Sequence, residues 1–183
     1  MAASLQSAVP FLVRRGAAGP TRLEDEVTGF YDEFRGPVLR YLCSLRISAD
    51  DGEEIVQEVF LALFRHLREG KPRDNLRGWI FRVAHNLALK NRIGRMRHPE
   101  AAEALEQPDP GLNPEQLAEG KQRQERLLSV VRALPEQDRY CLSLRAEGLR
   151  YREIAGILGI SLGSVANTLE RSLARLSRAE GSR

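Results

Sequence analysis

The chain has 183 residues, room for one or two small domains, and 42% hydrophobic against 29% charged residues is the balance of a soluble globular protein with a modest core. Two cysteines exclude a disulfide scaffold, and a formal net charge of +3 is too small to specify a polyanion partner without knowing where the charge lies. Aromatics make up only 6%, and Leu-, Ala-, Arg- and Glu-rich segments without apolar and polar alternation argue against a sheet, so the expected fold class is all-α.

Residues 1–20, rich in Ala, Gly, Ser and Pro, read as a disordered tail. Its apolar stretch from Ala8 to Val13 is interrupted by Pro10 and followed by Arg14 and Arg15, the wrong order for a signal peptide. No other run approaches membrane-spanning length, so no membrane insertion is expected, and two cysteines without a disulfide framework fit a reducing cytoplasm best. From Leu23 to Ile47, Val27, Phe30, Phe34, Val38, Tyr41, Leu42 and Leu45 recur at three- and four-residue steps, which predicts an amphipathic helix with a break or kink at Gly36-Pro37. A second helix is expected over Asp51–Leu67. It opens with Asp50, Asp51, Glu53, Glu54 and Glu58 before any basic residue, and Gln57, Leu61 and Phe64 fall away from a core face of Ile55, Val59, Ala62 and Leu63. Acidic groups around exposed apolar side chains repel DNA and suit a protein partner.

Gly70 and Pro72 mark Arg68–Asn75 as a loop, and helical periodicity returns over Leu76–Met96. The segment Arg65–His98 carries ten Lys or Arg residues against only Glu69 and Asp74, a concentrated footprint for a polyanion. With Leu76, Ile80, Val83, Ala84 and Leu87 as core, Trp79, Arg82, Asn86, Lys90 and Arg97 share a separate stripe. An aromatic among cations either covers the core edge or stacks on unpaired bases. Residues 99–120 change character: Pro99, Pro108, Pro110 and Pro114 stand among Glu100, Glu103, Glu106, Asp109, Glu115 and Glu119 without one Lys or Arg, as an acidic linker does.

A second helical unit occupies residues 121–183. Leu127, Leu128, Val131 and Leu134 form a stripe ending at Pro135, and helices are expected over Pro135–Glu147, Tyr151–Leu158 and Leu162–Leu176. The last two are joined by Gly159-Ile160-Ser161, where Gly159 can end one helix in the left-handed conformation and Ser161 can cap the next, the features of a helix-turn-helix. Val165, Leu169, Leu173 and Leu176 are expected as its buried stripe. Ser164, Asn167, Arg171, Arg175 and Arg178 then lie opposite, suited to phosphates and a major groove.

Cys43 and Cys141 sit in Leu-rich helical patterns and are expected as small core residues. His66, His85 and His98 lack neighbours at ligand spacing, and no phosphate-binding loop, nucleophile elbow or paired catalytic carboxylate is present, so neither a metal, a cofactor nor an enzyme is expected. A regulator that binds DNA through its helix-turn-helix alone, with a ligand-sensing first unit, is the competing class. The acidic helix followed by a basic Trp-bearing helix argues against it.

Three stretches carry a family resemblance: Asp51-Gly-Glu-Glu-Ile-Val-Gln-Glu-Val-Phe60, Leu76-Arg-Gly-Trp-Ile-Phe-Arg-Val-Ala-His-Asn-Leu-Ala-Leu89, and Leu134-Pro-Glu-Gln-Asp138 leading into the helix-turn-helix. They resemble regions two and four of the sigma-seventy family, and their order and linker resemble its extracytoplasmic-function group, over roughly Glu24 to Arg178. The resemblance implies a region 2 bundle over 21–98, the linker over 99–120 and region 4 over 121–183, in a factor that carries core RNA polymerase to promoters and helps open them. It implies that Asp51, Glu54, Gln57, Glu58 and Leu61 bind the clamp coiled coil of the beta-prime subunit. Lys71, Arg73, Asn75, Arg77, Trp79, Arg82, Asn86 and Lys90 are implied for the minus-ten element, its loop receiving a flipped base and Trp79 supporting strand separation. Arg152, Ser161, Ser164, Asn167, Thr168, Arg171 and Arg175 are implied for the minus-thirty-five element. The beta flap, promoter DNA and an anti-sigma factor complete the implied partners. Ala166, Asn167 and Thr168 stand where basic or hydroxyl residues are common in the family, Glu170 adds an acid beside the reading face, and Lys90 replaces a common acidic residue. These departures bear on how the minus-thirty-five element and promoter DNA are contacted.

Overall fold

A helix with Glu24 and Asp25 in its first turn is favoured by its own dipole, and in the computed structural model, which describes residues 22–97 and 127–181, α1 runs over Arg22–Ser44. Of the break or kink expected at Gly36-Pro37, no break occurs: Pro37 lies inside α1, and the helix continues through it. An interior proline costs roughly 3 kcal/mol. Val27 and Phe34 before it and Val38, Tyr41 and Leu42 after it are all buried on one face, and each such side chain returns about 1.5–3 kcal/mol on leaving water. Core burial therefore holds the helix in one piece.

Ser48 ends the following turn and caps α2, Ala49–Arg68, its Oγ accepting from the Asp51 amide at 3.2 Å. Gly52 is buried against α1, where a Cβ would lie 3.4 Å from Leu39. The buried face of α2 is broader than expected, adding Val56, Phe60 and Leu67 to Ile55, Val59 and Leu63, while Ala62 is only half-buried. Helix α3, Leu76–Arg97, begins after Asn75, which takes a left-handed φ of 54° and accepts the Gly78 amide on its Oδ1 at 3.1 Å. Here the core face is rotated from the expected one: Phe81, His85 and Ala88 are buried beside Leu76, Ile80 and Ala84, whereas Val83 and Leu87 are half-buried. Packing of α3 against α1 and α2 and also against the second unit spreads its buried arc beyond one stripe.

In the second unit, α4 covers residues 127–133 and Pro135 separates it from α5, Glu136–Ala146. Helix α6, Tyr151–Leu158, is closed by Gly159 at φ 66°, and α7, Leu162–Gly181, is opened by Ser161, whose Oγ accepts from the Ser164 amide at 3.0 Å. Leu144, Leu149, Ile154, Ile157, Val165 and Leu169 are buried in this unit. The expected stripe of α7 is corrected at its C-terminal half: Leu173 is 52% exposed, and the buried set is Val165, Thr168, Leu169 and Ser172. Leu173 and Leu176 instead line an open groove with Leu127 and Val131 of α4. Cys141 is buried as expected, but Cys43 is exposed, since it falls between the inward positions Tyr41, Leu42 and Leu45 of α1.

The two units meet along one contiguous buried cluster, with α1 against α5 and α3 against α6. At this seam the Tyr41 hydroxyl bonds to His85 Nδ1 at 2.8 Å and the Tyr140 ring stands edge-on to His85, centroids 5.7 Å apart. Burial pushes the His85 imidazole below its ordinary pKa and favours the neutral ring. The tail at 1–20 and the acidic linker at 99–120 lie outside the described residues.

Candidate nucleic-acid interface

Helix α2 offers its outward face without distortion. Glu54, Gln57, Glu58 and Leu61, at steps of three and four, are all exposed, and Leu61 is 37% accessible among acids. Asp51, the fifth residue expected here, is turned inward: its carboxylate accepts from Ser48 Oγ at 2.5 Å and pairs with Arg95 at 2.5 Å. It fastens the start of α2 to α3 and is mostly covered.

The loop before α3 and the outer face of α3 hold the expected strand-binding set in unequal states. Trp79 is half-buried on the core, its ring 4.7 Å from that of His66, and His66 Nε2 bonds the Pro72 carbonyl at 2.8 Å. Thus the tryptophan both covers the core edge and braces the loop. Arg82, Asn86 and Lys90 are exposed in a row along α3. Asn75 is exposed but spends its Oδ1 on the helix cap. Lys71 pairs with Glu69 at 2.6 Å, lowering the Glu69 carboxyl from its ordinary pKa through that hydrogen bond. Arg73 pairs with Glu26 of α1, and Arg77 reaches the second unit, donating from Nη2 to the Glu147 carbonyl. The side chain of Arg97 lies outside the described ones.

On the helix-turn-helix, Ser161, Ser164, Asn167 and Arg175 are exposed at the start and along one side of α7, and Arg152 is exposed on α6. Thr168 does not belong with them: it is 6% exposed and faces the core, because the inward arc of α7 runs through 165, 168, 169 and 172. Arg171 is half-exposed, but its guanidinium is held in a fork by the buried Asp138, Nη2 lying 3.0 and 2.9 Å from the two carboxylate oxygens. Glu170 is exposed beside Arg171.

Sequence reasoning missed the residues that join the units. Arg40 of α1 places Nε and Nη2 at 2.9 and 2.7 Å from the two carboxylate oxygens of Glu147. Arg92 of α3 pairs with Glu136 at 2.6 Å and donates to the Tyr140 hydroxyl, and its guanidinium holds the Glu136 carboxyl below the usual range. Nothing in periodicity marks these residues, because each looks like an ordinary solvated charge on its own helix.

Among the described residues there is no cluster of His, Cys, Asp or Glu that could hold a metal ion, and no helix is long and apolar enough to cross a membrane. Comparison with known families matches residues 30–97 to sigma-70 region 2 and residues 124–176 to sigma-70 region 4. The chain is 33% identical over 144 residues to the ECF RNA polymerase sigma factor SigE of Mycolicibacterium smegmatis, a match covering 74% of this chain and 55% of that protein. It is 28% identical over 142 residues to the ECF RNA polymerase sigma-E factor of Escherichia coli K12, covering 72% of this chain and 74% of the relative. Two solved structures share the fold at 20% identity. One is CnrH in complex with the cytosolic domain of CnrY, TM-score 0.57 over 84% of this chain and 86% of that one. The other is RpoE of Bartonella quintana in complex with the anti-sigma factor NepR, TM-score 0.59 over 85% and 99%.

Proposed function

The chain belongs to the sigma-70 family as an extracytoplasmic-function sigma factor, a non-catalytic factor that directs RNA polymerase to promoters, and we propose how its parts divide that task. The exposed row Glu54, Gln57, Glu58 and Leu61 of α2 docks on the clamp coiled coil of the polymerase. Its acids steer the approach to a basic surface, and Leu61 supplies apolar contact once water is expelled. Asp51 acts one step back, holding α2 against α3 through Arg95.

Helix α3 and the loop before it take the minus-ten strand. Arg82, Asn86 and Lys90 line the phosphates and base edges, while Trp79 offers a ring to an unpaired base beside the Lys71 to Asn75 loop. Strand opening needs no catalytic group: the side chains bind the open strand better than the duplex and so shift the equilibrium between them. Ser161, Ser164, Asn167 and Arg175, with Arg152, meet the minus-thirty-five element, and the Asp138–Arg171 fork keeps α7 at its angle to α5. The linker at 99–120 spans the polymerase between the two DNA contacts, the beta flap receives region 4, and the cytoplasm is the site of action. An anti-sigma factor is proposed as a further partner, a reading supported by the solved structures of this fold that hold CnrY and the anti-sigma factor NepR.

The observation that carries this reading is the opposition of two successive helices, one presenting an acidic and apolar face and the next a basic, Trp-bearing one. A stand-alone repressor needs only the helix-turn-helix. Run-off transcription with core polymerase and genomic fragments tests it: discrete transcripts that require both this chain and polymerase are expected. DNA binding without retention of polymerase would refute the reading.

A further inference from the structure

The residues expected to grip the open strand also face the helix-turn-helix of the same chain. Glu147, in the turn between α5 and α6, binds two elements of region 2 at once. Its carboxylate takes the fork of Arg40 from α1, and its backbone carbonyl takes Nη2 of Arg77 from α3. The Glu147 side chain is 11% exposed and that of Arg40 64%, so the fork sits at the edge of the seam, where its carboxylate is covered and its guanidinium meets water. Two glycines admit the approach. A Cβ on Gly148, which has φ 83°, would lie 2.8 Å from Arg77 Nη2, and one on Gly156 would lie 2.9 Å from Arg82 Nη2. Beneath the charges, Tyr41, His85 and Tyr140 close the seam with rings from both units.

The same closure gathers cations. A cleft of about 630 Å³ between the units is lined by Arg77, Arg82, Arg150 and Arg152, with Glu153 the one acid in its wall among the described residues. Arg77 Nε is buried there without a protein acceptor among the described residues. Charges of one sign held together repel, and a polyanion relieves that repulsion wherever it can reach them. Arg77 and Arg82 are expected on the minus-ten strand; closure commits Arg77 Nη2 to the Glu147 carbonyl and brings region 4 against Arg82, which stays exposed at the mouth of the cleft as Arg152 does.

We propose that the free chain is held shut by a latch in which Glu147 binds Arg40 and Arg77, and that region 4 and the unpaired minus-ten strand compete for the same guanidinium face of α3. Strand binding and domain opening are then one equilibrium. The apparent affinity for the strand is the intrinsic affinity scaled by the fraction of open chains, and whatever weakens the latch strengthens binding. The competition rests on the strand-binding reading of α3 given above; the latch itself does not.

The test uses the full chain with Arg40→Ala and Glu147→Ala. Neither residue belongs to the proposed DNA contacts. Radius of gyration is measured by X-ray scattering, and strand affinity by anisotropy of a labelled non-template oligonucleotide from a promoter mapped by run-off transcription. Circular dichroism establishes that each variant is folded. Each should enlarge the radius and tighten strand binding about five- to tenfold, the lower part of the range for coupled sites. Arg40→Ala decides most, because losing a cation weakens polyanion binding by simple electrostatics, whereas releasing the latch strengthens it. The swapped pair Arg40→Glu with Glu147→Arg should restore both readouts towards those of the unaltered chain. Adding Trp79→Ala to Arg40→Ala should reduce strand affinity while the radius stays enlarged. If that addition leaves affinity unchanged, the strand-binding reading fails and the latch is judged on the radius alone. A folded Arg40→Ala with unchanged radius overturns the latch, and an enlarged radius with unimproved strand affinity overturns the competition.

Discussion

Helices α2 and α3 are adjacent in the chain and opposite in charge, and they also differ in how ready they are to bind. The outward face of α2 is finished: Glu54, Gln57, Glu58 and Leu61 stand exposed at helical spacing, and the one acid drawn inward, Asp51, serves to fix the helix. The cations of and around α3 are largely spoken for, with Lys71 on Glu69, Arg73 on Glu26, Arg77 on the Glu147 carbonyl, Arg92 on Glu136 and Arg95 on Asp51. Arg82 and Lys90 remain exposed. The face proposed for a protein partner is thus preformed, whereas the face proposed for DNA must exchange internal partners for phosphates. The difference teaches that charge content predicts the sign of a partner, and pairing predicts what must be broken to reach it.

Charge reversal on the preformed face should have the largest effect. Glu58→Lys places a cation against a surface selected for acids, and a loss of about 3 kcal/mol, roughly two decades in polymerase affinity, is expected with the helical circular dichroism unchanged. Equal affinity would remove α2 from the polymerase interface and end the contrast. On the DNA side, Trp79→Ala should lose about 1–3 kcal/mol of open-strand stabilisation, one to two decades in open-complex population, while closed-complex binding changes far less. Permanganate footprinting on a linear promoter beside binding to a pre-melted one separates two roles. Failure of pre-melting to rescue means that the ring stacks on the strand, and rescue means that it acts as a wedge. Normal opening on both templates would leave Trp79 as the cover of the core edge beside His66.

The Asp138–Arg171 fork sharpens the comparison in region 4. Arg171→Ala leaves the buried Asp138 carboxylate without its fork, and about 1–3 kcal/mol of stability should be lost in a urea titration. A variant equally stable but altered in base preference at the minus-thirty-five element would return Arg171 to the reading face. Lys90→Ala should give the smallest change. It removes one exposed cation, so binding should weaken alike for all promoter sequences and the slope of log affinity against log salt should fall by about one. A change confined to particular base pairs would mean that Lys90 reads sequence.

By itself the sequence determined what short range decides. Capping at Ser161, the left-handed Gly159, the loop between α2 and α3 and the acidic face of α2 all follow from interactions within a few residues, and all were legible before any coordinates. Periodicity was less reliable where a helix has more than one neighbour. It put Leu173 in the core, where the structure leaves it exposed, while the resemblance placed Thr168 among the DNA contacts though it faces the core, and Gly36-Pro37 suggested a break that the buried face of α1 prevents. What only the tertiary structure decided is which charges are available. The Arg40–Glu147 fork joins residues 107 apart in sequence, and the Arg77–Glu147 bond residues 70 apart. Each partner is, on its own helix, indistinguishable from a solvated charge, because a helix repeat specifies direction from its axis and carries no information about what stands opposite.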